Sequence, residues 1–567
     1  MNLVERLLDW ERREPQRVWL CQPIDDVERR YTFAQAADEV RRAAMAIRAL
    51  GLPAGSRIAI SGRNTAHWLI ADLAISMAGH VAVGLYPRQG KATLGYILEH
   101  ADIHHIFVGP SLMAGDADEL VACLPADIDS IGLPYPGVPV TTRSWSDFIA
   151  GHAPMHDYTP PPDDAVAMLI YTSGTSGNPK GVMLSNASIA FAIDNILEHT
   201  IAAKAHEVLF SYLPLAHLME RIFGEAMGLA VGAEMHFLEK PEALAETLAR
   251  VSPTRFSGVP LVYSRIQAGI LGKLPQHKLD RLLGLPIVGT LFKRALRRKM
   301  GLRNVDTLGS GAAPMPPAQI EWFARLGLKV LQGYGMTENC AYAAIELPET
   351  ARAGSVGRPL PGSGFRLDAD GEIQFKHPAV MSGYFREPEK TREAFTDDGW
   401  LRTGDRGRVD DDGFLYITGR IKDAFKTGKG KYVAPAEIEA AMARNTDIEQ
   451  MCVVGAGLNQ PILLATLGPN AQQRPRADLE AALHADLRSV NATLDEHERI
   501  ARCIIVDDAW TPDNGLLTPT GKIRRSVLEQ HYATLIVTAA AQREPIVGWA
   551  VDLRLDGAQS TAARKLA

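Results

Sequence analysis

The chain has 567 residues, of which 46% are hydrophobic and 22% are charged, and its formal net charge is −6. A length of this order predicts two or more domains with large cores, which excludes a disordered chain and a small disulfide-rich protein. A slightly acidic chain lacks the overall positive charge of proteins that coat nucleic acid, so we expect no nucleic-acid partner.

The cysteines and the apolar segments indicate in which cellular compartment the protein is located. Five cysteines are scattered without a CxxC pair or metal-ligand spacing, which is typical of a reducing compartment. The first 15 residues carry acids and bases where a signal peptide would be apolar. The most apolar stretch, residues 69–85, contains Asp72 and is shorter than the about 20 residues of a spanning helix. We therefore expect a cytoplasmic protein with a buried helix and strand over residues 69–85.

Helix-like and strand-like segments alternate over about the first 330 residues. A helix is predicted over about residues 32–50, and short strands run into glycine turns further along the chain. Strands that alternate with helices predict an α/β fold of helix-covered sheets. From about Gly371, shorter strands separated by Asp- and Gly-rich turns predict a smaller α+β region. We place a domain boundary near residues 419–423 and expect a helix and a frayed tail over residues 536–567.

The clearest chemical signal is YTSGTSGNPKGV at residues 171–182, which follows a strand-like run. Its hydroxyl groups, its glycine-rich backbone and its lysine suit the binding of a polyphosphate. It is not a Walker A loop, because the Gly-Lys-Ser/Thr positions of that motif hold Pro179, Lys180 and Gly181 here. Taken alone, the segment leaves a glycine-rich surface turn as the alternative.

Four further motifs follow along the chain. They are LGSGAAPMP at 308–316, LQGYGMTENC at 331–340, GWLRTGDRGRVDDDGFLYITGRIKD at 399–423 and LTPTGKIRRSVL at 517–528. Together with the phosphate loop they resemble the motifs of the adenylate-forming enzymes, which include acyl-CoA synthetases, luciferases and nonribosomal peptide adenylation domains. The resemblance implies ATP and Mg²⁺ as cofactors and a large N-terminal domain with a smaller, mobile C-terminal domain. It sets these domains at residues 1–421 and 422–535, with the tail at 536–567.

The resemblance also implies a nucleotide site. Tyr334 is expected to stack on adenine, and Asp405 to accept hydrogen bonds from both ribose hydroxyls, with Arg420 as a second contact. Thr337 is expected to contact the α-phosphate. The implied nucleotide-binding set is Thr172, Ser173, Gly174, Thr175, Ser176, Gly177, Lys180, Gly311, Ala312, Ala313, Gln332, Gly333, Tyr334, Gly335, Thr337, Asp405, Tyr416 and Arg420.

Glu338 and Thr172 are the implied Mg²⁺ ligands, since both offer the oxygen atoms that this cation prefers. A solvated carboxylate is the alternative for Glu338. Three consecutive aspartates at residues 410–412 lack the spacing of a calcium loop, so we expect them to form a solvated hairpin turn.

Members of the family carry out two half-reactions at one site, and the C-terminal domain rotates between them about a hinge. The resemblance assigns the hinge to Lys422 and the catalytic lysine to Lys522, whose charge would offset the repulsion between a carboxylate and the α-phosphate. The loop at residues 426–439 is implied to enter the site for thioester formation, with Lys429 and Gly430 meeting coenzyme A. A plain solvated loop is the alternative there.

The segment SYLPLAHLMERIFGEAMGLAVGA at residues 211–233 resembles the acyl-site motif of long-chain fatty acyl-CoA synthetases. His217 takes a position near the reacting carboxylate, where a neutral imidazole would orient the acid; the alternative is a packing histidine at a helix start. We identify no aspartate that would bind a substrate amine, which favours a plain fatty acid. A serine hydrolase is excluded because the chain contains no GxSxG string.

A long segment at residues 269–302 ends in a basic helix. Its cationic residues are Lys293, Arg294, Arg297, Arg298 and Lys299. Such a helix suits an anionic lipid surface, which would make the protein peripheral at the inner face of the membrane. A charged helix that faces solvent is the alternative.

The leading hypothesis is an ATP-dependent fatty acid–CoA ligase with Lys522, Thr172, His217 and Glu338 as its catalytic residues. It would form acyl-AMP and pyrophosphate, then acyl-CoA and AMP, with fatty acid, ATP and coenzyme A as substrates. One alternative is transfer of the acyl group to the phosphopantetheine of a carrier protein, and another is a non-catalytic sensor of acyl chains or AMP. The sequence leaves open the chain length, the pathway and whether the protein is a monomer or a homodimer.

Overall fold

The computed structural model describes residues 1–25, 27–113, 115–172, 178–200, 204, 206–469, 471–512, 514–518, 521–542 and 546–552. These residues form a large N-terminal domain and a smaller C-terminal domain, both built from sheets covered by helices. The α/β fold predicted from the alternating segments is therefore confirmed. A one-turn 3-10 helix, Ile421–Asp423, follows the last strand of the N-terminal domain.

The central sheet of the N-terminal domain has eight strands. In spatial order they are Gly383–Tyr384, Lys180–Ser185, Val166–Thr172, Val81–Leu85, Arg57–Ser61, His105–Val108, Asp129–Gly132 and Arg143–Ser144. Its strands are buried on both faces: Ile58 and Ile60 join one core cluster, and Ala59, which points the other way, joins another. Mainly apolar strands without polar alternation are what such a sheet requires.

Two helices on one face of this sheet show how local sequence sets the packing. Helix Phe33–Arg48 begins with a capping box, in which the Thr32 hydroxyl accepts from the Gln35 N–H and the Gln35 side chain accepts from the Thr32 N–H. Its buried face meets the almost wholly buried helix Ala66–Met77. The helix predicted over residues 32–50 is confirmed.

Three more sheets complete the N-terminal domain. One contains Val208–Ser211, Glu234–Phe237, Val18–Ile24 and Val27–Thr32. The second contains Phe256–Gly258, Thr307–Ser310, Lys329–Tyr334, Ala344–Ile345 and Arg358–Pro359, and the third contains Phe365–Leu367, Glu372–Phe375, Leu401–Val409 and Leu415–Arg420. The first three strands of the second sheet are parallel, so their carboxyl ends and the glycine turns that follow lie at one edge.

The other helices of the N-terminal domain cover these sheets. Their bounds are Leu3–Arg13, Lys91–His100, Asp116–Ala122, Trp145–Ile149, Asn186–His199, Met227–Val231, Leu244–Val251, Pro260–Lys273, Gln276–Leu283, Pro286–Lys299, Pro317–Arg325 and Pro388–Glu393. A π-helix, Glu220–Ala226, precedes Met227–Val231. Residues 69–85 form part of helix Ala66–Met77 and strand Val81–Leu85, as predicted, and no described helix has both the length and the apolar character to cross a bilayer.

The C-terminal domain has one four-stranded sheet between two layers of helices. Its strands are Ile448–Val454, Ile462–Leu467, Arg502–Ile505 and Val547–Trp549, beside a small hairpin of Phe425–Lys426 and Tyr432–Val433. Helices Pro435–Met442 and Arg476–Asn491 pack on one face, and Arg525–His531 and Ala533–Ala541 on the other.

Residues 536–567 begin with the predicted helix and continue, where they are described, into a strand of the C-terminal domain. Leu535, Ile536 and Ala539 are buried in helix Ala533–Ala541, and strand Val547–Trp549 pairs in parallel with Arg502–Ile505. The domain therefore extends at least to Trp549, well past the predicted limit at residue 535. The weak hydrophobic pattern concealed this end because a three-residue strand is too short to show alternation.

Candidate active site

The phosphate loop joins two antiparallel strands of the central sheet. Strand Val166–Thr172 enters it and strand Lys180–Ser185 leaves it, with Thr172 opposite Lys180 in the register. Residues directly opposite each other in such a pair project to the same face. Thr172 and Lys180 are therefore neighbours at the base of the loop. The predicted phosphate-binding residues Ser173, Gly174, Thr175, Ser176 and Gly177 lie outside the described residues.

Lys180 and Glu338 share a contact, Tyr384. The Lys180 ammonium lies 4.3 Å from the centroid of the Tyr384 ring, and the Tyr384 hydroxyl donates to Glu338 Oε1 at 2.8 Å. We call these three residues the Lys–Tyr–Glu cluster. Burial lowers the pKa of Lys180. The negative charge of Glu338 raises this pKa, and the positive charge of Lys422 lowers it further. The cluster thus brings the lysine of the phosphate loop close to the predicted Mg²⁺ ligand.

Tyr384 was missed in the sequence. It belongs to the two-residue strand Gly383–Tyr384, which pairs with strand Lys180–Ser185 so that Tyr384 lies opposite Val182. The Tyr384 side chain is buried, and burial followed by Glu338 raises its pKa far above the ordinary value, so its hydroxyl remains a donor. Two residues are too few to show a strand period, and the contact joins segments about 200 residues apart.

Tyr334, Asp405 and Arg420 form a hydrogen-bonded group that we call the ribose triad, after the role that the sequence predicts for Asp405. The Tyr334 hydroxyl donates to Asp405 Oδ2 at 2.8 Å, and Arg420 Nε lies 3.1 Å from Asp405 Oδ1. Strand pairing explains the ion pair, because Asp405 and Arg420 lie opposite each other in adjacent strands. Burial and the Asp405 charge raise the pKa of Tyr334. Tyr334 and Arg420 thus hold the Asp405 carboxylate in position, and Asp405 is almost wholly buried.

The turn predicted to meet adenine follows strand Thr307–Ser310. Ala312 has a φ of 67°, in the left-handed region, and a Cβ at Gly311 would lie 3.3 Å from the Gly333 carbonyl oxygen. At Gly335 a Cβ would come within 2.6 Å of Ala341 Cα. Small residues therefore let the two glycine-rich segments approach each other closely. Thr337 then begins the 3-10 turn Thr337–Asn339, which carries Glu338.

Gln332, a predicted nucleotide-binding residue, supports a neighbouring turn with its side chain. Its side chain is buried, its Oε1 accepts from the Met315 N–H at 3.0 Å, and its Nε2 donates to the Ser355 carbonyl at 2.8 Å. Both ends of the amide thus bind backbone. The amide therefore holds in place the turn predicted to meet adenine, and a contact between Gln332 and the nucleotide remains a prediction.

Tyr416, another predicted nucleotide-binding residue, contacts Asp410 and Arg408. Its hydroxyl donates to Asp410 Oδ2 at 3.1 Å, and the Arg408 guanidinium stacks on its ring at 4.0 Å. It lies four residues before Arg420 on one strand, which is about 13 Å at about 3.3 Å per residue. The neighbouring Ile417 instead packs on the same core cluster as Tyr334. A contact between Tyr416 and the nucleotide remains a prediction.

Lys522 reaches the site from the C-terminal domain. It follows a turn in which its N–H donates to the Thr518 hydroxyl at 3.0 Å, and the side chain is accessible to solvent. Desolvation by the surrounding protein, followed by the positive charge of Arg420, lowers the pKa of Lys522. The negative charges of Asp405 and Glu338 raise it. These opposing influences mean that Lys522 lies in the electric field of both the ribose triad and the Lys–Tyr–Glu cluster.

His217 lies in the segment before the π-helix, near enough to Lys522 for the lysine charge to act on the imidazole. Burial, and then Lys522, lower the pKa of His217 to about 4, so the imidazole is neutral at pH 7. Its Nδ1 lies 3.2 Å from the Met219 N–H, which donates to it and leaves the ring proton on Nε2. His217 is therefore a neutral donor whose ring orientation is fixed by the backbone.

The predicted thioester loop lies at the surface. Lys429 and Gly430 are exposed at the tip of the hairpin of Phe425–Lys426 and Tyr432–Val433, where the Gly430 N–H donates to the Thr427 carbonyl at 2.9 Å. Residues 410–412 form the predicted hairpin turn, and Arg352 pairs with Asp410 and Asp412 there. Lys422 is exposed within Ile421–Asp423, near enough to Lys180 to lower its pKa.

Comparison with known proteins identifies the family of the chain. A profile of the AMP-binding enzyme family matches residues 7–385, and a profile of the AMP-binding enzyme C-terminal domain matches residues 422–544. The chain belongs to the AMP-binding enzyme family. The family membership that the motifs implied is therefore confirmed.

Several relatives resemble this AMP-binding enzyme over nearly its whole length. Long-chain-fatty-acid–CoA ligase FadD15 of Mycobacterium bovis is 30% identical over 583 residues, 94% of this chain and 96% of the relative. Long chain acyl-CoA synthetase 6, peroxisomal, of Arabidopsis thaliana is 31% identical over 86% of this chain and 78% of its own. ATP-bound MatB from Rhodopseudomonas palustris has a TM-score of 0.74 at 26% identity, over 94% of this chain and 100% of its own.

Proposed function

We propose that this AMP-binding enzyme is an ATP-dependent fatty acid–CoA ligase. The observation that carries the proposal is that Lys522 lies near enough to His217, to Asp405 and Arg420 of the ribose triad and to Glu338 of the Lys–Tyr–Glu cluster for their charges to act on one another. An acid-activating site needs these parts: a ribose anchor, positive charge at the phosphates and a neutral donor for the carboxylate. The names of the curated relatives support the same activity.

In the first half-reaction, a carboxylate oxygen of the fatty acid attacks the α-phosphorus of ATP. The bond between that phosphorus and the oxygen of the leaving pyrophosphate breaks, which gives acyl-AMP and pyrophosphate. Lys522 and Lys180 supply positive charge where the attacking and leaving groups concentrate negative charge. Solvent access to Lys522 suits this role, since its flexible stem can reach a substrate that fills the cleft.

His217 is proposed to orient the acid. A neutral imidazole with its proton on Nε2 donates a hydrogen bond to a carboxylate oxygen without neutralising the nucleophile. We propose that an aromatic stack forms a wall of the acyl site: the Tyr212 ring lies between Phe210, at 5.6 Å, and Phe256, at 5.5 Å. Such a wall suits the alkyl chain of a fatty acid.

Mg²⁺ fits the oxygen ligands that the site offers. Glu338 contributes a carboxylate and Thr172 a hydroxyl, which are hard donors, and these two residues would hold the ion together with the phosphates of ATP. When bound, it would neutralise phosphate charge and so assist the departure of pyrophosphate.

In the second half-reaction, the thiolate of coenzyme A attacks the acyl carbonyl carbon. The bond from that carbon to the AMP oxygen breaks, AMP leaves with the electron pair, and the thiol proton passes to solvent. This step is proposed to require rotation about Ile421–Asp423, so that Lys522 withdraws and the hairpin with Lys429 and Gly430 enters. Coenzyme A is a substrate here, and fatty acid and ATP are the other two.

Two alternative functions would give different results in the experiment described below. An acyl-adenylate could be passed to a carrier-protein phosphopantetheine, since both acceptors present the same thiol. A non-catalytic sensor would bind acyl chains or AMP without turnover. We place the protein in the cytoplasm with peripheral membrane contact.

The test is a pyrophosphate-release panel over acetate, octanoate, laurate, palmitate and oleate, each with and without coenzyme A. The proposal expects pyrophosphate from the longer acids and acyl-CoA only when the thiol is present. Acyl-AMP that turns over with a holo-carrier protein but not with coenzyme A would identify the carrier function. Absence of pyrophosphate with every acid would refute catalysis.

A further inference from the structure

Helix Pro286–Lys299 exposes an unusual run of aliphatic side chains. The outward residues near its start are Leu285, Ile287, Val288 and Leu291, with exposures of 46%, 76%, 47% and 58%. They lie at the connection to helix Gln276–Leu283, so the two helices form a hairpin with an apolar tip. Scattered single apolar residues are ordinary on a surface, but four adjacent aliphatic side chains form a patch.

The same outward face becomes cationic toward the end of the helix. Ile287, Leu291, Arg294 and Arg298 follow one another at spacings of three or four residues, which places them on one side of the helix. Arg294, Arg298 and Lys299 are exposed. The opposite side is used for packing, since Phe292 and Leu296 join the core and Arg297 donates to the Val305 carbonyl at 2.6 Å.

Positive charge is concentrated in this part of the chain. Residues 269–302 contain eight lysines or arginines and a single acid, Asp280, although the whole chain has a net charge of −6. Asp280 is engaged by Arg325 and by the side chain of Gln276. The local charge is therefore opposite in sign to that of the protein as a whole, and an anionic partner is favoured here.

We propose that the tip and outer face of helix Pro286–Lys299 dock on a bilayer that contains anionic lipid. An apolar tip followed by a cationic face suits the acyl and headgroup layers of a membrane, respectively. The aliphatic tip has no counterpart on nucleic acid, whose recognition relies on phosphate contacts and base edges or on aromatic stacking.

The inference rests on the proposed function for what docking serves. The inner side of the helix packs on the core cluster that contains Phe256 and Tyr263, and Phe256 belongs to the aromatic stack proposed as a wall of the acyl site. Long-chain acids partition into bilayers because each buried methylene favours the membrane. A docked helix would bring the acyl side of the site to the phase in which its substrate is dissolved.

The test uses the full chain and vesicles of phosphatidylcholine alone or in equal parts with phosphatidylglycerol. We expect sedimentation with the anionic vesicles at low salt and about tenfold weaker binding for Ile287→Glu/Leu291→Glu. Arg294→Gln/Arg298→Gln should weaken binding and reduce its salt dependence. The matched controls are Val140→Glu/Val537→Glu, at valines 93% and 66% exposed, and Arg12→Gln/Arg392→Gln on other helices. These controls should bind like wild type.

Activity provides the second measurement. The tip variant should keep the wild-type rate with octanoate in solution and lose rate with oleate supplied in anionic vesicles. Equal binding to both vesicle types, or wild-type binding by the tip variant, would overturn the inference, as would binding to duplex DNA that is also unaffected by the tip substitutions. Vesicle binding is read without turnover, so an inactive protein that still binds would refute the proposed ligase and not the docking surface.

Discussion

The two half-reactions have very different surroundings in this structure. On the nucleotide side, the ribose triad is bonded, the Lys–Tyr–Glu cluster is packed and Lys522 lies in the field of both. On the thiol side, Lys429 and Gly430 lie at an exposed hairpin tip. We interpret this orientation of the domains as the one that serves adenylation, and thioester formation as the step that needs the turn Ile421–Asp423 to rotate.

The contrast between the two sides shows which structural elements position the residues of each one. The nucleotide side is built from strand ends of the N-terminal domain, whose register fixes pairs such as Asp405 and Arg420 without any movement. The C-terminal domain adds Lys522, whose N–H donates to the Thr518 hydroxyl, so this charge depends on the position of a whole domain. Substitutions on the two sides should therefore affect different half-reactions.

The largest expected effect is that of Lys522→Ala on adenylation. Loss of a charge directed at the reacting phosphate should reduce acyl-adenylate formation about 100- to 1,000-fold. Thioester formation from supplied acyl-adenylate should be largely spared, because Lys522 serves only one orientation. The measurement is single-turnover pyrophosphate release beside acyl-CoA formation from synthetic acyl-AMP.

Lys429→Ala is the control for this prediction, since it removes a lysine from the opposite side of the comparison. It should spare adenylation and, if the hairpin meets coenzyme A, raise the coenzyme A requirement. Equal losses in both half-reactions of Lys522→Ala would remove the distinction between the two sides.

Lys422→Pro tests the hinge itself. Proline fixes φ near −65°, so a residue that must change its backbone dihedrals would be held in one state. We expect acyl-adenylate to form and acyl-CoA release to fall about 100-fold, the cost typical of a misplaced catalytic group. Lys422→Ala, which keeps the backbone free, should retain both steps. Wild-type rates for the proline variant would place the hinge at another residue, and a lowered melting temperature with loss of both steps would indicate misfolding.

Tyr384→Phe sharpens the comparison within the nucleotide side. The ring over Lys180 remains, but Glu338 loses the hydrogen bond that positions it. Because a hydrogen bond to a charged group contributes about 1.5–3 kcal/mol, we expect roughly tenfold higher Mg²⁺ to be required for adenylation. Glu338→Gln should shift the Mg²⁺ requirement further, since an amide is a weaker ligand. Unchanged Mg²⁺ dependence in both variants would exclude Glu338 as a ligand.

Much of this molecule could be predicted from its sequence where function is carried by one continuous segment. The motif around Tyr334 and the string that contains Asp405 and Arg420 led directly to residues that the structure brings together. The predicted helix over residues 32–50 follows from an apolar period and a capping threonine that both act locally.

The features that the sequence did not reveal share a physical cause. Each of them depends on contacts between segments that lie apart in the chain. Tyr384 meets Lys180 and Glu338 only through a two-residue strand at the edge of the central sheet. The contacts of the Gln332 amide with Met315 and Ser355 likewise join separate segments, and the sequence did not indicate them. The strand Val547–Trp549 is defined by its pairing with Arg502–Ile505 and not by any pattern of its own.

The smallest expected effect concerns the pH dependence that His217 contributes. Burial, and then Lys522, lower the pKa of His217 to about 4 from an ordinary 6.5. The native state therefore binds fewer protons here than the unfolded state between about pH 4 and 6.5, so the stability linked to His217 falls as pH falls through that window. The imidazole should remain the neutral donor down to about pH 5, and the wild-type adenylation rate should change less than about twofold from this group between pH 7 and pH 5.5. An ordinary histidine would be about nine-tenths protonated at pH 5.5 and would lose roughly tenfold. The measurement compares pH profiles of adenylation for wild type and His217→Gln, which keeps a neutral donor but cannot titrate. Profiles of the same shape would support a permanently neutral His217, whereas a wild-type midpoint near pH 6.5 that disappears in the glutamine variant would show that His217 titrates in the working range.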